Sequence, residues 1–342
     1  FSVGSLNLAS KTSWQKARLE FNGFGRHAQS ELYRDDFLAP RFMNFPNRLV
    51  ARDLFGLQHY AETQTSRSDV VLNKANVEYD AESARFTLGR QYINYGIGES
   101  FNPINPFNQP LGLVGAANVA QGNDGGRAAF FLSERSTLEF FLFGDKQYDR
   151  DVITRTAWLH WEWRPTDEWQ VDAVIGEDQE RNKSGFQINR IVGDGMVFTQ
   201  ALYSSAQLDN LPGEELWDVL VGYDNQFTSE WHVRLEGGYQ ERDDEIGLAD
   251  LTRLNGRFFP FEYFVSFANQ YEAHPLLNLS GSLIHDVKTN FGYFVGKATW
   301  AFKDDWEWDL FVFAPVYQNS AESTAIQELI TTDVGTALRV FF

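Results

Sequence analysis

The sequence predicts an all-β chain: a transmembrane antiparallel β-barrel of sixteen strands, with eighteen held open and a long loop folded into the lumen. Three observations predict it. Pieces of about ten residues alternate apolar and polar side chains, the period of a strand with two unlike faces. Aromatics make up 15% of the 342 residues, yet mean hydropathy is only −0.37. The connections are short and long by turns, so the short ones gather on one side. A barrel in lipid reconciles these facts, because its outside is apolar with aromatic girdles while its lumen and loops are polar. A membrane helix needs ~20 consecutive apolar residues. The longest apolar run, Leu310 to Tyr317, is too short and contains Pro315.

Taken in order, Ser2 to Leu8 is a short alternating piece and Trp14 to Phe24 a better one. In the latter, Ala17, Leu19 and Phe21 oppose Lys16, Arg18, Glu20 and Asn22. Arg26 to Asn47 loses the pattern and carries Pro40 and Pro46, so it reads as a loop. Leu49 to Tyr60 is ambiguous. Val70 to Tyr79 alternates again, with Ala75, Val77 and Tyr79 against Lys74, Asn76 and Glu78, and the turn Asp80 to Ser83 leads into Arg85 to Ile93.

From Asn94 to Asp124 the chain carries five glycines and three prolines. This is far longer than a hairpin needs, and prolines cannot donate to a ladder. Leu111, Leu113, Val114 and Ala116 would be poorly hydrated outside, which favours an inward fold. Asn102, Pro103, Asn105, Pro106 and Pro110 are the expected constriction residues, with an external cap as the competing reading.

Hairpins then follow regularly to the end of the chain. Short polar turns precede Trp169, Trp231 and Trp306, positions suited to rings at headgroup level. The long connections Asn94–Gly125, Gln207–Glu215, Glu241–Arg257 and Gln318–Thr332 fall on the opposite side. Fourteen strands are expected from Arg85 onward and two to four before it. At sixteen, each strand with its connection averages about 21 residues, enough for ~9–11 in the wall. The whole chain reads as one domain.

The last ten residues, Asp333 to Phe342, place Val334, Thr336, Leu338, Val340 and Phe342 on one face. Gly335, Ala337, Arg339 and Phe341 take the other. This stretch resembles the C-terminal closing strand of Gram-negative outer-membrane β-barrels. The resemblance implies a signal already removed, an outer-membrane location, and recognition of the terminal Phe by the outer-membrane assembly machinery. The segment Leu72 to Pro110 resembles a family of porin-like outer-membrane proteins and, more distantly, the alginate-export barrels. It does so through Gly89, Arg90, Gln91, Gly96, Gly98, Asn102, Pro103, Asn105 and Pro106, with Tyr95 standing where that family usually has Trp.

Six histidines are scattered without metal-ligand spacing, and no nucleophile elbow or phosphate loop occurs. No catalytic set, cofactor or metal is therefore expected. His160 and His232 fall on lumen faces and read as solvated wall residues. The acidic run Asp243-Asp244-Glu245 reads as a solvated loop, with divalent-ion bridging to lipopolysaccharide as the sharper alternative. Absence of Cys suits an oxidising compartment. A net charge of −18 argues against nucleic acid.

The expected pore lining is Lys16, Arg18, Lys74, Arg90, Arg234 and Arg339 with Glu20, Glu78, Glu162, Asp172, Asp218, Asp224, Glu236, Glu307 and Asp309. Carboxylates outnumber bases, which predicts weak cation preference. Strict alternation sends Arg90 toward lipid, so a bulge at Gly89 is expected to turn it inward against the Asn94–Gly125 loop. The leading function is passive diffusion of small hydrophilic solutes. A plugged docking barrel, a carrier of hydrophobic substrates and, last, an outer-membrane enzyme are the alternatives. The partners expected are outer-membrane lipid and lipopolysaccharide, with a homo-oligomer or an envelope protein held open.

Overall fold

The computed structural model describes residues 2–14, 16–29, 58–62, 66–107, 122–147, 152–178, 181–206, 215–241, 262–288, 291–303, 306–317 and 333–340. These contain β1 (Ser2–Trp14), β2 (Ala17–Gln29), β3 (Gln58–Glu62), β4 (Ser66–Asp80), β5 (Ala84–Gln91) and β6 (Asn123–Ser133). There follow β7 (Ser136–Gln147), β8 (Val152–Thr166), β9 (Trp169–Asp178), β10 (Arg181–Val192), β11 (Gly195–Ala206) and β12 (Glu215–Gln226). The last six are β13 (Trp231–Gln240), β14 (Tyr263–His274), β15 (Leu277–Asp286), β16 (Phe291–Lys303), β17 (Trp306–Tyr317) and β18 (Asp333–Val340).

All eighteen belong to one antiparallel sheet. From β4 onward each strand pairs with the next, β2 pairs with both β1 and β4, and β18 comes alongside β1 at the seam. β3 is a five-residue flap on the upper part of β4, beyond the end of β5. The all-β antiparallel barrel read from sequence is thus what the chain forms, and its eighteen described elements include the β3 flap. The N-terminal reading needs one correction. Trp14 to Phe24 is not one strand: β1 ends at Trp14 and β2 starts at Ala17, with Lys16 in the turn between them.

The sheet is apolar outside and polar inside, the reverse of a soluble fold. Leu88 is 71% exposed, and Leu19, Val77, Leu142, Ile175, Val221 and Leu235 are likewise exposed. Buried instead are Asn76, Thr87, Gln187, Gln200, Asp218 and Glu236. Burying so many polar groups is tolerable only where they hydrogen-bond to one another or meet water.

Two aromatic belts bound the apolar face. At the short-turn end stand Trp163, Trp169, Trp231, Trp300 and Phe302. At the long-connection end Tyr203 packs on Trp217 (5.0 Å between ring centroids) and Tyr239 on Tyr263 (4.8 Å). On β13 the two belts are reached by Trp231 and Tyr239. Eight residue steps at ~3.3 Å give about 26 Å along the strand, or about 20 Å of height at a tilt of ~40°, somewhat under the ~25 Å apolar band of an outer-membrane barrel because the belt side chains reach beyond their Cα positions. The Trp positions expected from sequence open β9, β13 and β17.

The turn before β13 is fixed by local polar chemistry rather than by glycine. In Phe227–Glu230, Thr228 Oγ1 accepts from the backbone of Glu230 (3.2 Å) and Trp231 (3.1 Å). Ser229 Oγ donates to Glu230 Oε1 at 2.7 Å and is the main cause holding that carboxyl below its usual range.

Candidate functional site: an inward segment docked across the wall

β5 ends at Gln91 and β6 begins at Asn123. Of the connection, Tyr92–Phe107 and Gly122 are described. Tyr92–Phe107 touches strands from β7 round to β16, which only a path through the inside of the sheet allows. Ile93, Ile104 and Phe107 pack with Phe141, Phe143, Trp158, Val174 and Leu202. Phe101 packs with Phe198, Leu220, Phe264, Ile284 and Tyr293. Fully burying an aromatic of this size contributes about 1.5–3 kcal/mol, so the apolar anchors alone hold the segment firmly.

Polar groups fix its register. The backbone N–H groups of Glu99 and Ser100 donate to Glu236 Oε1 and Oε2, each at 2.8 Å. Ser100 Oγ donates to Ser266 Oγ at 2.7 Å, and Ile97 N–H to Gln187 Oε1 at 3.1 Å. Arg234 Nη1 donates to the Ile97 carbonyl at 2.8 Å. Within the segment, Asn102 and Asn105 both donate side-chain N–H to the Tyr95 carbonyl, at 2.9 and 3.2 Å. A Cβ on Gly98 would land on the Phe101 carbonyl and 2.7 Å from Leu220 Cδ2, so this turn requires glycine.

Beneath the segment runs a row of directly opposed inward side chains. His160 stands opposite Glu139, Asp172 opposite Gln187, and Gln187 opposite Gln200. His160 Nδ1 is 3.0 Å from Glu139 Oε2, and its Nε2 is 2.8 Å from Asp172 Oδ1. Gln170 and Gln187 both donate to Asp172 Oδ2 at 3.0 Å. Arg127 pairs with Glu139, and the Tyr95 ring lies flat on His160, 4.5 Å between centroids at 12°. The histidine read from sequence as a solvated wall residue is thus buried, clamped by two carboxylates and roofed by the inward segment.

The remaining lining residues form local ion pairs. Glu20 meets Lys74 and Lys11 (3.2 Å), and Glu78 meets Arg18 (3.0 Å) and Arg85 (3.8 Å). Asp224 accepts from Arg234 Nε at 2.6 Å and lies 2.7 Å from His232 Nε2. Asp309 takes Thr299 Oγ1 at 2.6 Å and Lys297 Nζ at 3.4 Å. Glu162 holds Arg164 at 2.8 Å, Asp218 is buried on β12, and the Glu307 and Arg339 positions are partners in the β17–β18 backbone register. Lys16 is corrected: it is an exposed turn residue, since Ala17 already begins β2.

Arg90 is corrected in one respect. The ladders to β4 and β6 both run through Gly89 without a register shift, so there is no bulge. The alternation breaks instead in the backbone torsion of Gly89, φ 116°, after which Arg90 and Gln91 are both buried. Arg90 meets the far end of the connection: Nε and Nη2 donate to the two Asp124 oxygens at 2.7 and 2.6 Å, and Nη1 to the Leu72 carbonyl at 2.8 Å.

Pro103 and Pro106 lie in the docked segment, whereas Pro110, Leu111, Leu113, Val114, Ala116 and Asp243-Asp244-Glu245 lie outside the described residues. Among the described residues no group of three His, Asp or Glu is placed to hold a metal ion. Sequence reasoning missed Glu139, Gln187 and Ser266, whose only signal is a polar residue at an inward position of the alternation.

No family model matches this chain, and no curated protein matches it. Solved structures do match in fold. OccK8 (OprE) of Pseudomonas aeruginosa superposes with a TM-score of 0.56 at 9% identity, over 98% of this chain and 90% of that one. OccAB4 of Acinetobacter baumannii gives 0.54 at 10% identity, over 98% and 88%. A BenF-like porin from Pseudomonas fluorescens Pf-5 gives 0.54 at 9% identity, over 99% and 90%. At these identities the likeness is one of architecture, and the chain has the fold of the outer-membrane porin barrels.

Proposed function

We propose that the protein is a channel of the Gram-negative outer membrane for passive diffusion of small hydrophilic solutes, narrowed by the Tyr92–Phe107 segment. The observation that carries this reading is the inverted wall. An apolar outer face between two aromatic belts suits lipid, and an inner face of paired charges suits a water-filled path. The likeness to porin barrels supports it. The Gly89–Pro106 segment is our reason for also placing the chain near the alginate-export barrels.

We read the protein as a non-enzyme. Among the described residues, the buried cluster of His160 with Glu139 and Asp172 has a stacked tyrosine where a reacting group would sit. The pore lining is assigned to the partly exposed groups Arg18, Glu20, Lys74, Glu78, Arg234 and Glu307, with Arg127 added. Asp172 and Glu236 act from beneath the segment, and Asp218 is buried on β12. A plugged docking barrel is the second reading, favoured by the extent of apolar packing around Phe101 and Phe107.

Conductance of the purified, refolded protein in a planar bilayer under a salt gradient tests the proposal. Stable stepwise current supports the channel. A folded barrel without current, even after Gly96–Pro106 is replaced by a short Gly-Ser linker, overturns it in favour of the docking reading.

A further inference from the structure

We propose that the Glu99–Ser100 turn, with Ser266 and Arg234, is a carboxylate-binding site whose resident is the wall's own Glu236. Removing that side chain then opens the site to a free small carboxylate. The inference concerns the interface between segment and wall, and it holds whether or not the barrel conducts.

The site is built for one anion. Two successive backbone N–H groups converge on two different oxygens of Glu236, each at 2.8 Å. Successive amides turned to one side form a concavity that binds anions. Ser266 Oγ lies 3.4 Å from Oε2 and accepts from Ser100 Oγ at 2.7 Å, so its own proton is available to the carboxylate. Arg234 Nη1 lies 3.8 Å from Oε1 and 3.5 Å from Glu99 Oε2. The same guanidinium donates to the Ile97 carbonyl at 2.8 Å. Within four residues the segment therefore presents an acceptor to the cation and two donors to the anion. A neutral wall residue at 236 would satisfy one of those amides and repel or ignore the other.

The side chain of Glu236 is buried, and the apolar anchors Phe101, Phe264 and Leu220 lie beside it. Apolar packing positions the turn, and the anion completes it. In Glu236→Ala the packing and the donors remain while the carboxylate is gone, leaving a hollow sized for formate or acetate.

The test is amide hydrogen exchange of the 96–102 stretch in the refolded barrel, read by mass spectrometry. Wild type, Glu236→Ala and Glu236→Gln are compared in sodium acetate and in sodium chloride at equal pH and ionic strength. In wild type both amides exchange slowly in either salt. In Glu236→Ala exchange is expected to rise at least about tenfold, the effect of losing a hydrogen bond to a charge. Acetate restores protection saturably and chloride does not. In Glu236→Gln protection falls and acetate does not restore it, because the amide still fills the hollow. Unchanged protection in Glu236→Ala, loss that neither acetate nor formate reverses, or equal rescue by chloride overturns the proposal. Should Glu236→Ala refold poorly, the refolded fraction becomes the readout. A higher yield in acetate than in chloride supports the site, and equal yields overturn it.

Discussion

Arg90 and Asp124 face each other across the β5–β6 ladder and share two parallel hydrogen bonds, 2.7 and 2.6 Å long, with both side chains out of contact with solvent. One stands at the end of the strand that sends the inward segment off, and the other at the start of the strand that receives it back. The third donor of the guanidinium reaches the Leu72 carbonyl on β4, so three strands are tied at the mouth of the connection. Bidentate pairing is the strongest geometry open to such a pair.

Removing one partner leaves the other charge buried and unpaired. Arg90→Ala is therefore expected to destabilise the barrel by about 3–5 kcal/mol. The double variant Arg90→Met, Asp124→Leu should recover a large part of that loss, because no charge is stranded. Urea unfolding in detergent, followed by heat-modifiable gel mobility, reads both. A double variant no better than the singles would contradict this assignment.

The turn at Gly98 meets the wall in a close approach that leaves no room for a side chain. Gly98→Ala is expected to undock Gly96–Phe101, since the added carbon has no room beside the Phe101 carbonyl and Leu220. The barrel itself should still fold, because β5 and β6 are paired independently of that turn. Limited proteolysis within 94–107 should rise while gel mobility stays native. Protection equal to wild type would show that the turn absorbs the carbon.

The strands were legible because alternation is a local property, and from β5 onward each predicted hairpin has its counterpart. The failure at Trp14–Phe24 is equally local. β1 closes at Trp14 and β2 opens at Ala17 with no Gly, Pro or Asn between them in the sequence, so nothing punctuates the pattern. The site was legible only in part. Glu236 and Asp172 could be read as inward carboxylates from parity alone. Their partners could not, since Arg90 and Asp124 are 34 residues apart and cross-strand register is a tertiary fact. The docking donors Glu99 and Ser100 act through backbone N–H groups, which every residue but proline carries, so no residue type announces them. Parity alone sends Arg90 toward lipid; the inward turn expected at Gly89 is made by its φ of 116° rather than by a bulge.

Leu88 offers a test of the outer face itself. It is 71% exposed on β5, and in a water-soluble protein an exposed Leu→Arg change stays within about 0.5 kcal/mol. In lipid the same change is expected to cost ~2–4 kcal/mol near mid-membrane. Refolding titrations into lipid vesicles should therefore separate Leu88→Arg from wild type clearly. A difference below about 0.5 kcal/mol would mean that this face does not meet hydrocarbon.

Charge selectivity follows from how the lining is paired rather than from its totals. Carboxylates outnumber bases in the sequence, yet Glu20 is shared by Lys74 and Lys11, and Glu78 by Arg18 and Arg85. On this part of the wall four bases surround Glu20, Glu78 and Asp80, the last taking Arg85 at 2.5 Å, so the bases stay in slight excess locally although the chain carries −18 overall. Glu20→Gln releases Lys74 and Lys11 together and is expected to move the reversal potential toward anions. Lys74→Met should move it toward cations, and the double variant should lie between them. All three shifts should shrink in molar salt, where the Debye length falls to ~3 Å. Shifts of the same sign from both single variants would mean that these groups do not face the permeation path.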